Sequence, residues 1–335
     1  MDTPGHPNFS DEISAAFRLS DGVVVVVDSV EGICLHTEKI IKHAIQESLD
    51  IILCINKIDR LVLELKLTPS DAYHKIKFII DEFNKVIETN MNYYSQKKPK
   101  FVAPNQRNVL FASSMYGIMF SLESFARKYN EINNLNMDYK ALAKMLWGDL
   151  YYEKKTRKFL KKPIDSSSVR TFIEFILDPM YKIIGYSLSE EKPKLESILG
   201  SIGIFLKNSD YKLDPKPLLK LICCKFFGHV NSLVDIIVEN IVTSKEGGRI
   251  KIEQNYMGER KGEVYDKMIS GSSDSILAVN VIKLYHKYDY LSFDSFGRVL
   301  SGTVKKGDIV KVMGEKYNVV EQEDMVVKEV TNMYI

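Results

Sequence analysis

The chain has 335 residues, 45% of them apolar and 27% charged, with 46 lysines and arginines against 44 acids for a net charge of +2. That length allows two or three domains with ordinary cores. The near balance of charge excludes a polyelectrolyte signature for broad nucleic-acid binding, though not a local RNA contact.

The predicted elements begin with Gly22 to Asp28, whose five consecutive valines show no alternation. Such a strand is expected to be buried on both faces, as in a parallel sheet. A helix is predicted over His36 to Glu47, with Ile40, Ile41, Ala44 and Ile45 on one face. Asp50 to Ile55 reads as a second buried strand, ending at Asn56-Lys57-Ile58-Asp59. A long helix follows from Pro69 to Glu88, capped by Thr68 or Ser70. Val109 to Ala112 is a third strand, ending at Ser113-Ser114. Alternating strands and helices specify an α/β fold, with ligands expected at the carboxyl ends of the strands.

From about residue 117 helices and polar loops alternate. A basic stretch runs from Lys154 to Lys162, and helical spacing returns at Arg170 to Ile184. Lys216 to Ile241 reads as helical with a break near Phe227-Gly228, closed by a glycine-rich turn at Glu246-Gly247-Gly248. Residues 250–335 read as strand-like, with Ser270 to Ser275 a loop; the runs Ile276 to Val281 and Gly297 to Val304 suggest a small β-barrel. The longest apolar run near the start, Val23 to Val27, is far short of a membrane span, and residues 1–20 lack a signal peptide's apolar region. Cys34, Cys54, Cys223 and Cys224 fit neither zinc nor disulfide spacing and read as small core residues in a reducing compartment.

Two short motifs carry chemistry. In Asn56-Lys57-Ile58-Asp59, the aspartate is an acceptor-only carboxylate suited to the paired N1–H and amine donors of guanine. Lys57 can lay its stem along the base and Asn56 can tie neighbouring loops. A polar turn after a strand is the alternative. In Asp2-Thr3-Pro4-Gly5-His6, Asp2 can hold a magnesium ion through water, and Gly5 lets its backbone N–H approach a γ-phosphate. His6 can orient the attacking water. Here the alternative is a turn with a helix cap. Ser113-Ser114-Met115 could present backbone N–H groups to the guanine carbonyl oxygen, or be only a strand-end turn. The cations between Lys154 and Lys162 read as a solvated surface hairpin; the interleaved Tyr151, Tyr152 and Phe159 keep an RNA reading open. His36 and His43 lie too far apart for a metal pair, and Cys223-Cys224 has no Cys-x-x-Cys context.

These motifs resemble the translational GTPase superfamily, specifically its elongation-factor-2-like branch. Leu146-Trp147-Gly148-Asp149, Thr156-Arg157-Lys158-Phe159 and Phe172 to Pro179 resemble that branch's inserted subdomain. Phe296-Gly297-Arg298-Val299, with Gly302 and Lys306-Gly307, resembles its second-domain β-barrel. Ile41 to Ala44, Cys54 to Leu61 and Cys224 to Gly228 are similar to the spliceosomal GTPase of the U5 small nuclear ribonucleoprotein, the Snu114 family.

The resemblance implies a partial P-loop-type GTPase domain at 1–116 and 216–245. An inserted α-rich subdomain at 117–215 and an incomplete domain II β-barrel at 246–335 would complete the chain. It places Asp2, Gly5 and His6 in switch II and makes Asn56, Lys57, Asp59 and Ser113 the guanine set. GTP or GDP with Mg2+ is the implied cofactor. The implied setting is nuclear, with a Prp8-like scaffold, a Brr2-like helicase and U5 RNA nearby, and a role in spliceosome activation and disassembly. Nothing in the sequence indicates a homo-oligomer. Elongation factor 2, a cytoplasmic ribosomal translocase, and a non-catalytic scaffold are the alternatives.

Two departures stand out. Pro7 replaces the family's usual aliphatic residue and removes a backbone donor. No Gly-x-x-x-x-Gly-Lys-Ser/Thr motif occurs; Gly302 to Gly307 has the spacing but is followed by Asp308. The expectation is therefore a piece of a longer protein, with phosphate cradle and switch I upstream of Met1. Alone it should bind GTP weakly, hydrolyse it negligibly, and expose the edge of the valine strand.

Overall fold

The computed structural model describes residues 1–93, 98–163, 165, 168–189, 192–228, 231–288, 292–318 and 323–334. Contacts divide the chain into two units. One comprises Pro4–Ser10 and Gly22–Val242; the other comprises Met1–Thr3, Asp11–Asp21 and Thr243–Ile335.

Helix α1 (Ser10–Leu19) falls largely in the second unit, and the first is built on strands β1 (Gly22–Asp28), β2 (Asp50–Asn56), β3 (Val109–Ser113) and β4 (Ile118–Phe120). They lie in that order in one sheet; β1, β2 and β3 are parallel, and β4 is antiparallel to β3. The register sets Asp28 opposite Asn56 and Ile55 opposite Phe111, so three strands end at one margin of the sheet. Side chains alternate between faces. Ile52, Cys54, Leu110 and Ala112 face one way and pack with Ile236 and Val24. Phe111 faces the other way, into an aromatic cluster with Phe120, Trp147 and Phe172.

Helices cover these faces where the spacing predicts. Helix α2 (Leu35–Gln46) buries Ile41, Ala44 and Ile45. A short α3 (Asp59–Leu63) precedes α4 (Pro69–Thr89), where the Thr68 hydroxyl accepts from the Asp71 amide. Helix α4 buries Ala72, Tyr73, Ile76, Ile80, Phe83 and Ile87, a stripe of threes and fours. Next come α5 (Leu122–Ile132), closed by a Ser121/Ser124 capping box, α6 (Tyr139–Lys144), and the hairpin β5 (Tyr151–Glu153) with β6 (Lys158–Leu160). A π-helical turn (Ile173–Leu177) leads into α7 (Asp178–Ser189), then α8 (Lys192–Ser201), α9 (Pro215–Phe227) and α10 (Asn231–Asn240). The break between α9 and α10 falls where Phe227-Gly228 indicates it, with Gly228 at φ +90°.

One expectation about β1 fails. Its valines are not covered on both faces: Val25 and Val27 are buried, whereas Val26 is 59% exposed. Among the described residues β1 pairs only with β2, and α10, which contacts β2, β3 and β4, supplies no comparable cover for β1.

The second unit corrects the reading of residues 244–270. Glu246-Gly247-Gly248 is not a turn but the first part of α11 (Ser244–Asn255), capped by the Thr243 hydroxyl, and α12 (Glu263–Ser270) follows. The glycine reflects a close approach rather than a bend: a Cβ on Gly247 would lie 1.9 Å from Asp21 Oδ1. Asp21 is gripped by Arg298, Nη1 to Oδ1 at 2.6 Å and Nη2 to Oδ2 at 3.0 Å. Lys283 similarly bridges Asp11 and Glu12 at the start of α1. The strands here are two antiparallel ribbons, β7 (Ala278–His286) with β8 (Phe293–Ser301) and β9 (Ile309–Met313) with β10 (Met325–Glu329). Among the described residues these ribbons do not close into a barrel.

Candidate functional site

The tips of β1, β2 and β3 are tied together by side chains just beyond them. Asn56, the last residue of β2, accepts from the Lys57 amide at 2.8 Å and the Ser114 amide at 3.3 Å. Its Nδ2 donates to Ser114 Oγ at 3.1 Å. One amide side chain thus holds the loop after β2 against the loop after β3. The backbone adds a strut, Ile58 N to Ala112 O at 3.1 Å, and Ser29 after β1 donates its hydroxyl to Lys57 O at 2.8 Å.

These bonds hold Lys57 in a conformation it would otherwise avoid. Its φ is +60°, the left-handed region, which disfavours a residue with a Cβ by about 1–2 kcal/mol. The turn lifts its side chain toward Asp28, the last residue of β1, with Nζ 3.0 Å from Oδ2. Asp28 also receives Arg60 Nη1 at 2.6 Å and the Val30 amide at 2.9 Å. Burial alone would raise the Asp28 pKa. The Val30 amide, Lys57 and Arg60 outweigh it and hold the carboxyl below its ordinary value. Arg60 in turn forks onto both carboxylate oxygens of Glu64, which anchors the first turn of α3.

Asp59 opens α3 and is only 6% exposed. Its Oδ1 is buried and has no hydrogen-bond partner among the described residues. A buried carboxylate oxygen without a donor is costly, by about 1–3 kcal/mol or more. Its neighbours feel the charge. Burial raises the Tyr116 phenol, and Asp59 adds to that; burial pushes the Cys223 thiol up to about 12, with Cys224 and Asp59 contributing. Ser113 is fully buried and its Oγ accepts from the Tyr116 amide at 3.4 Å, which curls the loop after β3. Gly117 completes that curl at φ +65°, where a Cβ would lie 2.6 Å from Cys224 Sγ. Ser114 and Met115 are exposed beside it.

The structure therefore brings Asn56, Lys57, Asp59, Ser113 and Ser114 to one margin. The other motif stands by itself. His6 is exposed; its Nδ1 accepts from the Asn8 amide at 3.2 Å, and its ring lies edge-on to Phe9 at 6.2 Å. This leaves Nε2 free of that bond. Pro7 starts a 3-10 turn to Phe9, a position that needs no backbone donor. A Cβ on Gly5 would meet nothing within 4 Å, so internal packing does not demand that glycine. Asp2 is exposed and falls in the other unit. Among the described residues no three His, Cys, Asp or Glu side chains converge as a metal site.

Three residues of the cluster were not singled out as site residues: Ser29, Asp28 and Arg60. Asp28 was noted only as a strand end. The signal for Ser29 and Asp28 was their place just after and at the tip of β1. Arg60 left none, since its reach to Asp28 depends on the turn at Lys57.

A model of the elongation factor Tu GTP-binding domain matches residues 1–242. The chain belongs to that family of translational GTPases. It is 42% identical over all its 335 residues to the 110 kDa U5 small nuclear ribonucleoprotein component CLO of Arabidopsis thaliana, covering 34% of that protein. It is also 42% identical to the 109 kDa U5 component GFL of the same plant, over 335 residues and 34% of that protein. With pre-mRNA-splicing factor cwf10 of Schizosaccharomyces pombe it shares 43% identity over 337 residues, all of this chain and 34% of the factor. The chain spans about a third of the length of these relatives. A domain of this GTPase family implies guanine-nucleotide binding. Among the described residues Asp59 Oδ1 is a buried acceptor left without a donor.

Proposed function

We propose that this chain is the nucleotide-handling part of a GTP-binding, GTP-hydrolysing switch of the U5 small nuclear ribonucleoprotein, acting in pre-mRNA splicing. The observation that carries the reading is the orphaned Asp59 oxygen at strand tips held together by Asn56. The names of the relatives supply the setting: U5 components in a plant and a splicing factor in a yeast.

In this reading Asp59 accepts the N1–H and amine of guanine. Lys57 lays its stem along the base, and the Ser113-Ser114-Met115 loop gives backbone N–H groups to the base carbonyl. GTP supplies the phosphoanhydride that is cleaved. His6, with Nδ1 engaged by Asn8, would orient the attacking water through Nε2, and Gly5 would let its backbone N–H approach the γ-phosphate. Asp2 would hold Mg2+ through water, as suits an ion held mainly by nucleotide phosphates. Residues 1–116 with 216–245 form the GTPase domain, 117–215 its insertion and 246–335 part of domain II. The working partners are a Prp8-like scaffold, a Brr2-like helicase and U5 RNA, in the nucleus.

The test is base selectivity. Asp59→Asn places an amide N–H against guanine's amine, whereas xanthine carries a carbonyl oxygen there. Losing a charge-assisted pair should weaken guanosine diphosphate at least tenfold and improve xanthosine diphosphate. Saturation-transfer NMR with the two nucleotides and adenosine diphosphate reads this out. A chain that takes adenosine as well as guanosine, or a variant with unaltered preference, removes the basis for the proposal.

A further inference from the structure

The GTPase reading leaves one charged feature unused. Residues 151–162 hold six cations and a single acid. They form the hairpin β5–β6, with Tyr152 opposite Phe159 and Glu153 opposite Lys158. Among the described residues Lys154 is the one cation engaged, 3.1 Å from Glu174 Oε1. The lone acid, Glu153, accepts the Thr156 hydroxyl across the turn. Lys155, Arg157, Lys158, Lys161 and Lys162 are all exposed and form no ion pair among the described residues.

Two of the three interleaved aromatic residues, Tyr152 and Phe159, turn inward rather than toward a ligand. Tyr152 and Phe159 pack on each other at 5.2 Å, and both lie against Phe175, at 5.3 and 6.3 Å. They serve as the hairpin's floor and fix the ribbon from below. What is exposed along residues 154–162 is positive charge, with no large apolar residue exposed among it.

That combination separates two kinds of partner. Protein interfaces concentrate their energy in buried aromatic and apolar anchors and are depleted in lysine. A phosphodiester backbone asks for cations and side-chain donors and needs no apolar centre. We infer that the β5–β6 hairpin is an RNA-backbone contact, in which Lys155, Arg157, Lys158, Lys161 and Lys162 bind phosphates without reading bases. The source of the RNA rests on the ribonucleoprotein reading above; the chemistry of the strip does not.

Five neutralised phosphates on a single strand give a salt slope of about −3.5 in log K against log salt. A fourfold rise in salt then weakens binding about a hundredfold. The experiment titrates the 335-residue chain against a fluorescein-labelled 20-nucleotide single-stranded RNA from 50 to 200 mM salt. It is repeated with a variant carrying glutamine at all five positions, and with Arg157→Lys. The expected result is a slope near −3.5 for the parent, loss of at least tenfold in affinity and a flattened slope for the glutamine variant, and retained binding for Arg157→Lys. Circular dichroism checks that each variant is folded. Equal affinity and slope in parent and glutamine variant overturn the inference. So does tighter binding of a polyglutamate peptide than of RNA at matched charge and salt, which assigns the strip to an acidic protein. Guanine selectivity measured on the same samples keeps the two proposals apart. Asp59→Asn should leave the RNA slope unchanged, and the hairpin variant should leave base preference unchanged.

Discussion

Replacing Asn56 by alanine removes the tie between the loops that follow β2 and β3. Three links are lost: to the Lys57 amide at 2.8 Å, the Ser114 amide at 3.3 Å and the Ser114 hydroxyl at 3.1 Å. A net 0.5–1.5 kcal/mol is typical for one such bond. The site is open to water, which replaces part of each, so the total is about 1–2 kcal/mol. For a unit of this size that lowers Tm by about 3–6 °C. The local effect is larger than the global one, because Lys57 is held at φ +60° by these bonds and by Ser29. Released from Asn56, Lys57 can relax to an ordinary conformation and swing Asp59 away from its place. Hydrogen exchange at the Lys57 and Ser114 amides should accelerate at least tenfold, and guanine affinity should fall with it. Asn56→Asp keeps the acceptor and loses the donor, so it should lie between parent and alanine variant. Unchanged exchange at both amides, with unchanged guanine affinity, would refute the coupling of the two loops.

Two further outcomes follow from the same margin of the sheet. Asp28 has a folded pKa below its ordinary 3.8, so its contribution is fully present above that value and is lost as pH falls through the lowered one. Asp28→Asn should therefore reduce stability at neutral pH and flatten the acid limb of a denaturation series below about pH 4, whereas a parallel, pH-independent offset would contradict the assignment. Val26→Lys puts a charge on the exposed face of an edge strand, the device that discourages strand-to-strand association. Light scattering of the chain should drop with little change in Tm, because Val26 is already 59% exposed.

Much of the larger unit was legible because its signals are local. A valine run, two apolar runs and helices punctuated by Thr68-Pro69 and Phe227-Gly228 need no distant partner to be read. The Asn56-Lys57-Ile58-Asp59 motif is equally local, four consecutive residues at a strand tip. The failures came where a distant residue decides. Gly247 and Gly248 look like a turn until Asp21 arrives beside them, and the glycine then serves contact rather than bending. The exposed edge of β1 was expected, but burial on both faces was not borne out, because Val26 stands 59% exposed. Residues 250–270 carry modest apolar content and were read with the strands that follow them. Their helices are set by the Thr243 cap at one end and Gly271 at φ +58° at the other. The interleaving of Tyr152 and Phe159 with the charges did not reveal that their rings pack on Phe175, sixteen residues beyond the nearer of them.

The cost of the orphaned Asp59 oxygen bears directly on selectivity. A carboxylate buried to this degree without a donor at Oδ1 is destabilising before any ligand arrives, and the two loops hold it there regardless. In the proposed reading guanine would relieve that penalty by donating to Oδ1 and giving its second donor to the same carboxylate. Adenine relieves none of it and turns its own acceptor, N1, toward the negative charge. In that reading discrimination would come as much from the donor the carboxylate lacks as from what the right base adds. Sites built to satisfy a ligand's donors reject the analogue lacking them by factors of about 10⁴–10⁵, far beyond what shape alone achieves. Such a ratio requires the acceptor to stay fixed when the wrong base enters. Asn56, Ser29 and the Asp28–Lys57–Arg60 charges supply that rigidity from the tips of β1 and β2, with Asn56 reaching Ser114 beyond β3.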